Sequence, residues 1–222
     1  AFWDALRKAY PHLAILNCAS GGRRIDLESI SRGEPLWRSD YNCFPEATAE
    51  STQDHSYGIQ YWLPLQGSMI RGWSLYDIYD ARCALSPGME NALVAKTEPE
   101  WLQIKVNVVQ AKRCKRYFFG DYYPLTHQQR DPAAWTAYHV YLPETQEGML
   151  VALRRAKSDV SAMTFDLLTI DPEKRWTFED YDSGETWSVS GKQLREEGFR
   201  IAIPDRRGSR LLFYSVARRN EP

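Results

Sequence analysis

Residues Leu13 to Tyr41 read LAILNCASGGRRIDLESISRGEPLWRSDY, and the punctuation of this stretch decides the fold. Four apolar residues, Leu13-Ala14-Ile15-Leu16, are short and sharply bounded, as a buried strand would be. Asn17-Cys18 ends the run, and the chain turns through Ser20-Gly21-Gly22 into the basic pair Arg23-Arg24. A short helical stretch follows until Gly33 and Pro35 break it. A second strand, Leu36-Trp37-Arg38-Ser39, then delivers Asp40 at its end. Strand, glycine turn, helix, strand and acid are the grammar of a parallel α/β sheet, whose chemistry gathers beyond the carboxyl ends of the strands. Cys18, the Gly21-Gly22 backbone and Asp40 are therefore expected at one mouth.

Upstream of this stretch, Phe2, Ala5, Leu6 and Ala9 form one face of a helix from Phe2 to Tyr10, with Asp4 and Lys8 spaced to pair on its surface. A chain that begins inside an element is expected to have lost an upstream segment. Downstream, Tyr41 to Asp54 reads as a long polar connection, and Tyr57 to Leu63 as a helix stopped at Pro64. Ser68-Met69-Ile70 is a strand candidate running to Gly72-Trp73. A loop with Tyr76, Asp77, Tyr79 and Asp80 leads to a turn at Leu85-Ser86-Pro87-Gly88. Glu98 to about Arg116 is the longest helical candidate, with Pro99 in its first turn, where a missing N–H costs nothing. Beyond Thr126 the apolar pattern alternates: Met149, Val151, Leu153; Trp176, Phe178; Phe199, Ile201, Ile203. Turn residues at Asp171-Pro172, Ser183-Gly184, Ser190-Gly191 and Arg207-Gly208 separate these runs, and Leu211-Leu212-Phe213-Tyr214 is the last strand. Period two in short runs predicts an antiparallel β-sandwich. The chain thus divides into an α/β part, 1–126, and an all-β part, 127–222.

Lys and Arg number 28 against 29 Asp and Glu, so no net field favours nucleic acid or an anionic membrane. No apolar run reaches the roughly 20 residues needed to cross a bilayer as a helix. Cys18, Cys43, Cys83 and Cys114 form no CxxC pair and share no zinc-ligand spacing with the four histidines. Scattered thiols of this kind read as free cysteines in a reducing compartment, hence a cytoplasmic location. No metal and no cofactor is implied.

NCASGGRR followed by LWRSDY resembles the C-S-S-G-G-G-R … W-x-S-D-D pattern of the melibiase-type α-galactosidases, glycoside hydrolase family 36. RYFFGDYYPLT near Tyr117 and IDPEKRWTFEDYDSGE further on support the likeness, which covers nearly the whole chain but only the C-terminal part of such an enzyme. It implies the second half of a (β/α)8 TIM barrel followed by an antiparallel β domain, and cleavage of terminal α-galactosides of the raffinose and melibiose type with retention. Asp40 falls on the acid/base of the S-D-D segment, and Cys18 and Gly21 on positions that line the sugar pocket. The family's nucleophile, an aspartate in a K-W-D segment, has no match here and is expected ahead of Ala1. Arg23 stands where the family has a third glycine, and Tyr41 replaces the second acid; both bear on the sugar accepted.

Retention needs two carboxyls about 5–5.5 Å apart, one nucleophile and one acid/base. The acid/base role requires a proton on Asp40 at working pH; a nearby carboxylate favours that proton and Arg38, on the same strand face, opposes it. The plain alternative is an Asp that caps the following segment. Cys18 is either sugar-contacting wall or a small packed residue at a strand end. Gly21 and Gly22 either make a tight turn or let backbone N–H groups approach a sugar hydroxyl. Trp37 and Trp73 are candidate stacking platforms, whereas Trp176, Trp187 and Phe213 read as sandwich interior. The candidate set is therefore Asp40 as catalytic residue, with Cys18, Gly21, Gly22, Trp37 and Arg38 binding sugar. Arg24 and Asp121 read as structural.

Two other functions compete: a non-catalytic carbohydrate-binding unit, and a structural domain pair. The partner expected is an α-galactoside or related oligosaccharide. The full-length form is expected to be a homo-oligomer, and this chain alone to self-associate through unpaired strand edges.

Overall fold

A computed structural model describes residues 2–18, 21–33, 36–44, 46–63, 65–70, 77–91 and 97–217. Trp73 and Tyr76 lie outside the described residues, as does Ser20. The chain forms two compact units, residues 1–115 and 116–222.

The first unit opens with α1 (Phe2–Ala9), which buries none of its residues. Asp4 pairs with Arg32 at 2.7 Å, a partner that spacing along the helix could not reveal. That guanidinium holds the Asp4 carboxyl down at about 2. Residues 13–16 are not the buried strand expected of them: Leu13 is 43% and Leu16 53% exposed, and only Asn17 bridges to the sheet. Apolar composition marks a segment that can be buried, but burial needs a covering layer, and the described residues bring none over Leu13 and Leu16. The short helix after the arginines is α2 (Leu27–Ile30), capped by Asp26, whose Oδ1 accepts from the Ser29 N–H at 2.8 Å.

Three short strands, β1 (Leu36–Trp37), β2 (Gln66–Ile70) and β3 (Gly88–Asn91), lie parallel in that order. Helix α3 (Ala49–Gln60) connects β1 to β2, and α4 (Ile78–Cys83) lies between β2 and β3 in the chain. Parallel neighbours cannot be joined by a tight turn, so each pair carries a helix in its crossover. Much of the expected loop from Tyr41 to Asp54 is therefore helix, begun by a capping box in which Thr48 and Ser51 satisfy each other's backbone N–H. Likewise, the segment holding Tyr79 and Asp80 is α4, capped by Asp77. The long helix α5 (Glu98–Cys114) matches its expected span, with a Thr97–Glu100 capping box and proline in its first turn.

In the second unit β4 (Asp121–Pro124), β5 (Trp135–Leu142), β6 (Glu147–Arg154), β8 (Arg175–Asp180), β9 (Thr186–Ser190) and β11 (Gly208–Val216) make one antiparallel sheet, ordered β4-β5-β6-β11-β8-β9. Strand β4, read from sequence as part of the first domain, is an edge of this sheet. A ribbon of β7 (Ala162–Phe165) and β10 (Phe199–Ala202) shares the core with it. That core gathers Leu150, Trp176, Phe178, Leu212 and Tyr214 from the sheet, Phe165 and Phe199 from the ribbon, and Leu194 from α6 (Gly191–Glu197). Ser190-Gly191, read as a turn, is the start of α6: Ser190 Oγ accepts from the Gln193 N–H at 3.1 Å.

Two expectations for the sandwich interior change. Phe213 is buried on the opposite face of β11 from Leu212 and Tyr214, against Tyr117 at 5.3 Å between ring centres. Trp187 is only partly buried. Strand β6 is buried on both faces, so its run of apolar residues carries no clean period-two signal.

Candidate active site

Asn17 joins the opening stretch to the sheet. Its carbonyl accepts the Trp37 N–H at 2.7 Å, and its side chain donates to the Arg24 carbonyl at 3.2 Å, bracing the turn from both ends. Asn17 is fully buried, with Oδ1 unpaired among the described residues. Cys18 follows it directly, half-buried and with a free thiol.

The turn then passes over the end of β1. Gly21 has φ +75°, and a Cβ there would stand 2.7 Å from the Asp40 backbone nitrogen and 3.2 Å from its Cγ. Gly22 has φ +81°, and a Cβ on it would be driven into the Arg38 carbonyl. Both glycines meet both demands at once, a left-handed backbone and a close approach. Of the two readings left open by sequence, the geometry describes the tight turn, and what its backbone lies against is the Asp40 strand end.

Asp40 heads a 3-10 turn, Tyr41–Cys43, but makes no side-chain cap there. Its Oδ1 instead accepts from Trp37 Nε1 at 2.8 Å, while Oδ2 has no hydrogen-bond partner among the described residues. The carboxyl is thus oriented from one side and half-exposed on the other. The capping alternative for Asp40 does not describe this arrangement. Trp37 is itself buried, so its visible contribution is a hydrogen bond to Asp40.

Two buried residues set the strand end in place: Asn42, which sequence reasoning passed over, and Arg38, which it assigned to the sugar. Asn42 is buried, donates to the Met69 carbonyl of β2 at 3.0 Å and accepts from Thr52 Oγ1 of α3 at 3.0 Å. Arg38, also buried, donates to Gln66 Oε1 at 2.5 Å and Ser68 Oγ at 2.7 Å, both on β2. Gln66 in turn donates to Gln60 of α3 at 2.8 Å. Polar residues i and i+2 on a strand, Gln66 and Ser68, were the available signal: they share one face, and burying it required a donor opposite. Among the described residues no group of His, Cys, Asp and Glu could hold a metal ion.

An oriented, half-exposed carboxyl at the carboxyl end of a parallel strand, crossed by a two-glycine turn, invites comparison with enzymes that work by carboxyl chemistry. The α-galactosidase of Lactobacillus brevis superposes with a TM-score of 0.78 at 17% identity, over 99% of this chain and 31% of its own. The family 36 α-galactosidase AgaB of Geobacillus stearothermophilus superposes at 0.74 and 21% identity, over 97% of this chain and 30% of its own.

The fold is that of part of a glycoside hydrolase family 36 α-galactosidase.

A third galactosidase fold of the same kind, AgaA of G. stearothermophilus solved with raffinose, agrees at a TM-score of 0.75, 18% identity and 97% of this chain. The chain spans about a third of the length of these enzymes. A 39-residue segment is 49% identical to an α-galactosidase of Escherichia coli, covering 18% of this chain and 6% of that one. No profile of a known protein family matches. The resemblance read from the two motifs is borne out in the family of enzymes that share the fold.

Proposed function

We propose that the chain is the C-terminal portion of a retaining α-galactosidase, in which the first unit, residues 1–115, belongs to the second half of the catalytic (β/α)8 barrel and the second unit, residues 116–222, is its β-sandwich companion. The observation that carries this reading is the Asp40 carboxyl: fixed through Oδ1 by Trp37, open at Oδ2, and lying under the Gly21 backbone. The parallel order of β1, β2 and β3 with intervening helices supports the barrel half.

In this reading Asp40 protonates the departing glycosidic oxygen while a carboxylate from a segment ahead of Ala1 attacks the anomeric carbon. Asp40 then takes the proton of the water that releases the sugar. Cys18, Gly21 and Gly22 line the sugar subsite, Trp37 orients the acid, and Arg38 ties β1 to β2 so that the strand end keeps its place. The substrate is a terminal α-galactoside of the raffinose or melibiose type, consistent with the raffinose and stachyose bound in solved relatives. The chemistry is proton transfer and covalent catalysis by carboxylates.

The test is Asp40→Asn in the complete protein. Loss of a general acid costs typically 10²–10⁴-fold, so turnover of raffinose is expected to fall by that order. An aryl α-galactoside with an acidic phenol, which departs without a proton, is expected to lose far less in the first step. Wild-type turnover of raffinose by the variant would overturn the assignment.

A further inference from the structure

The second unit holds a pocket of about 180 Å³ bounded by β8, β9, β10 and β11. Its apolar wall is Trp187, Phe199, Ile201 and Leu212, and the Trp187 ring, only partly buried, stacks on Phe178 at 5.8 Å with 17° between planes. Around it stand Asp180, Glu185, Arg200 and Arg210. Asp180 is fully engaged: Oδ1 accepts the N–H groups of Asp182 and Ser183, and Oδ2 accepts from Arg210 Nη1 at 2.7 Å. Arg210 Nε donates to the Ala202 carbonyl at 3.3 Å, so this guanidinium is pinned across the pocket with Nη2 unpaired among the described residues. Arg200, the carboxylate of Glu185 and the indole N–H of Trp187 likewise have no partner among the described residues.

We infer that this pocket binds one ring of a neutral saccharide. An aromatic face with unpaired donors and an acceptor at its rim is what a pyranose needs, because it presents C–H groups on its faces and hydroxyls around its edge. Two carboxylates against two guanidiniums leave the lining without net charge, which selects a neutral polyol over an anion or a cation. The pinned Arg210 costs little ordering on binding. The inference stands apart from the catalytic reading, since it uses no residue of the first unit.

The experiment is fluorine NMR of the complete protein labelled with 5-fluorotryptophan, with the Trp187 resonance identified by Trp187→Phe. Galactose, glucose and raffinose are titrated separately. The expected result is a saturable shift of the Trp187 resonance with at least one sugar, abolished when Glu185 and Arg200 are both replaced by Ala. Those two side chains are exposed, so that variant stays folded where Trp187→Ala could fail. No shift up to the solubility limit of all three sugars, or a shift unchanged in the double variant, overturns the inference. Raffinose hydrolysis by unlabelled wild type and unlabelled double variant reads the catalytic proposal separately, because neither substitution changes a residue of the first unit.

Discussion

Gly21 shows how much a single missing side chain can carry. Its φ of +75° is costly for any L-residue, and the space a Cβ would need is held by the Asp40 backbone nitrogen. Gly21→Ala must therefore push the turn away from β1 or shift Asp40. Backbone strain of this kind costs about 1–3 kcal/mol, and under the proposed function the displaced carboxyl costs turnover as well. Thermal melting and raffinose turnover measured together are expected to show activity falling further than stability. A variant with full activity would mean that the turn is not what positions Asp40. The identities of Gly21, Gly22 and Asp40 were legible as a turn and a strand-end acid. Their meeting at one mouth was legible too, but their direct contact was not, because nearly twenty residues separate them in the chain and the Asn17–Trp37 hydrogen bond closes that gap.

At the scale of elements, the first unit hides its interior behind polar residues. Helix α3 buries Thr52, Gln53 and Gln60, and α5 buries Asn107 and Gln110 beside Ile104 and Cys114. A search for apolar periodicity passes over faces of this kind, and so the first half of α3 reads as a polar loop. Their burial works because amide meets amide or guanidinium: Gln66 with Gln60, Arg82 with Gln110, Arg38 with Gln66. Arg38→Met would keep the volume and remove the donor, stranding Gln66 Oε1 and Ser68 Oγ. Each buried polar group left unpaired costs about 1–3 kcal/mol, so the urea midpoint is expected to drop while the slope of the transition holds. An unchanged midpoint would show that solvent reaches this layer. Leu13–Leu16 fail the opposite way: apolar by composition, they stay largely exposed because burial is a property of what lies against a segment.

At the scale of the molecule, the pH dependence of stability has one large contributor in the second unit. His139 is fully buried, stacked on Tyr123 at 4.9 Å, with Nδ1 at 2.8 Å from Tyr214 Oη and Nε2 unpaired among the described residues. Desolvation pushes its imidazole from 6.5 down to about 4. The unfolded chain thus takes the proton at a pH where the folded chain refuses it. Stability is therefore lost as pH falls from 6.5 to 4, by about 3 kcal/mol at full extent. His139→Gln is expected to flatten the curve of stability against pH across that window and leave the region above pH 7 unsloped. Persistence of the slope would place its origin in another group. By itself the sequence determined the change from parallel α/β to antiparallel β, the long helix α5, the glycine turn and the acid that follows β1. These are local matters of backbone freedom and periodicity. Tertiary structure alone decided that Trp37 and not a helix cap receives the Asp40 carboxyl, that Arg38 turns to β2, and that Trp187 stands at a pocket and not within the core. Such partners meet across strands distant in sequence, where pairing register and not composition selects the neighbour.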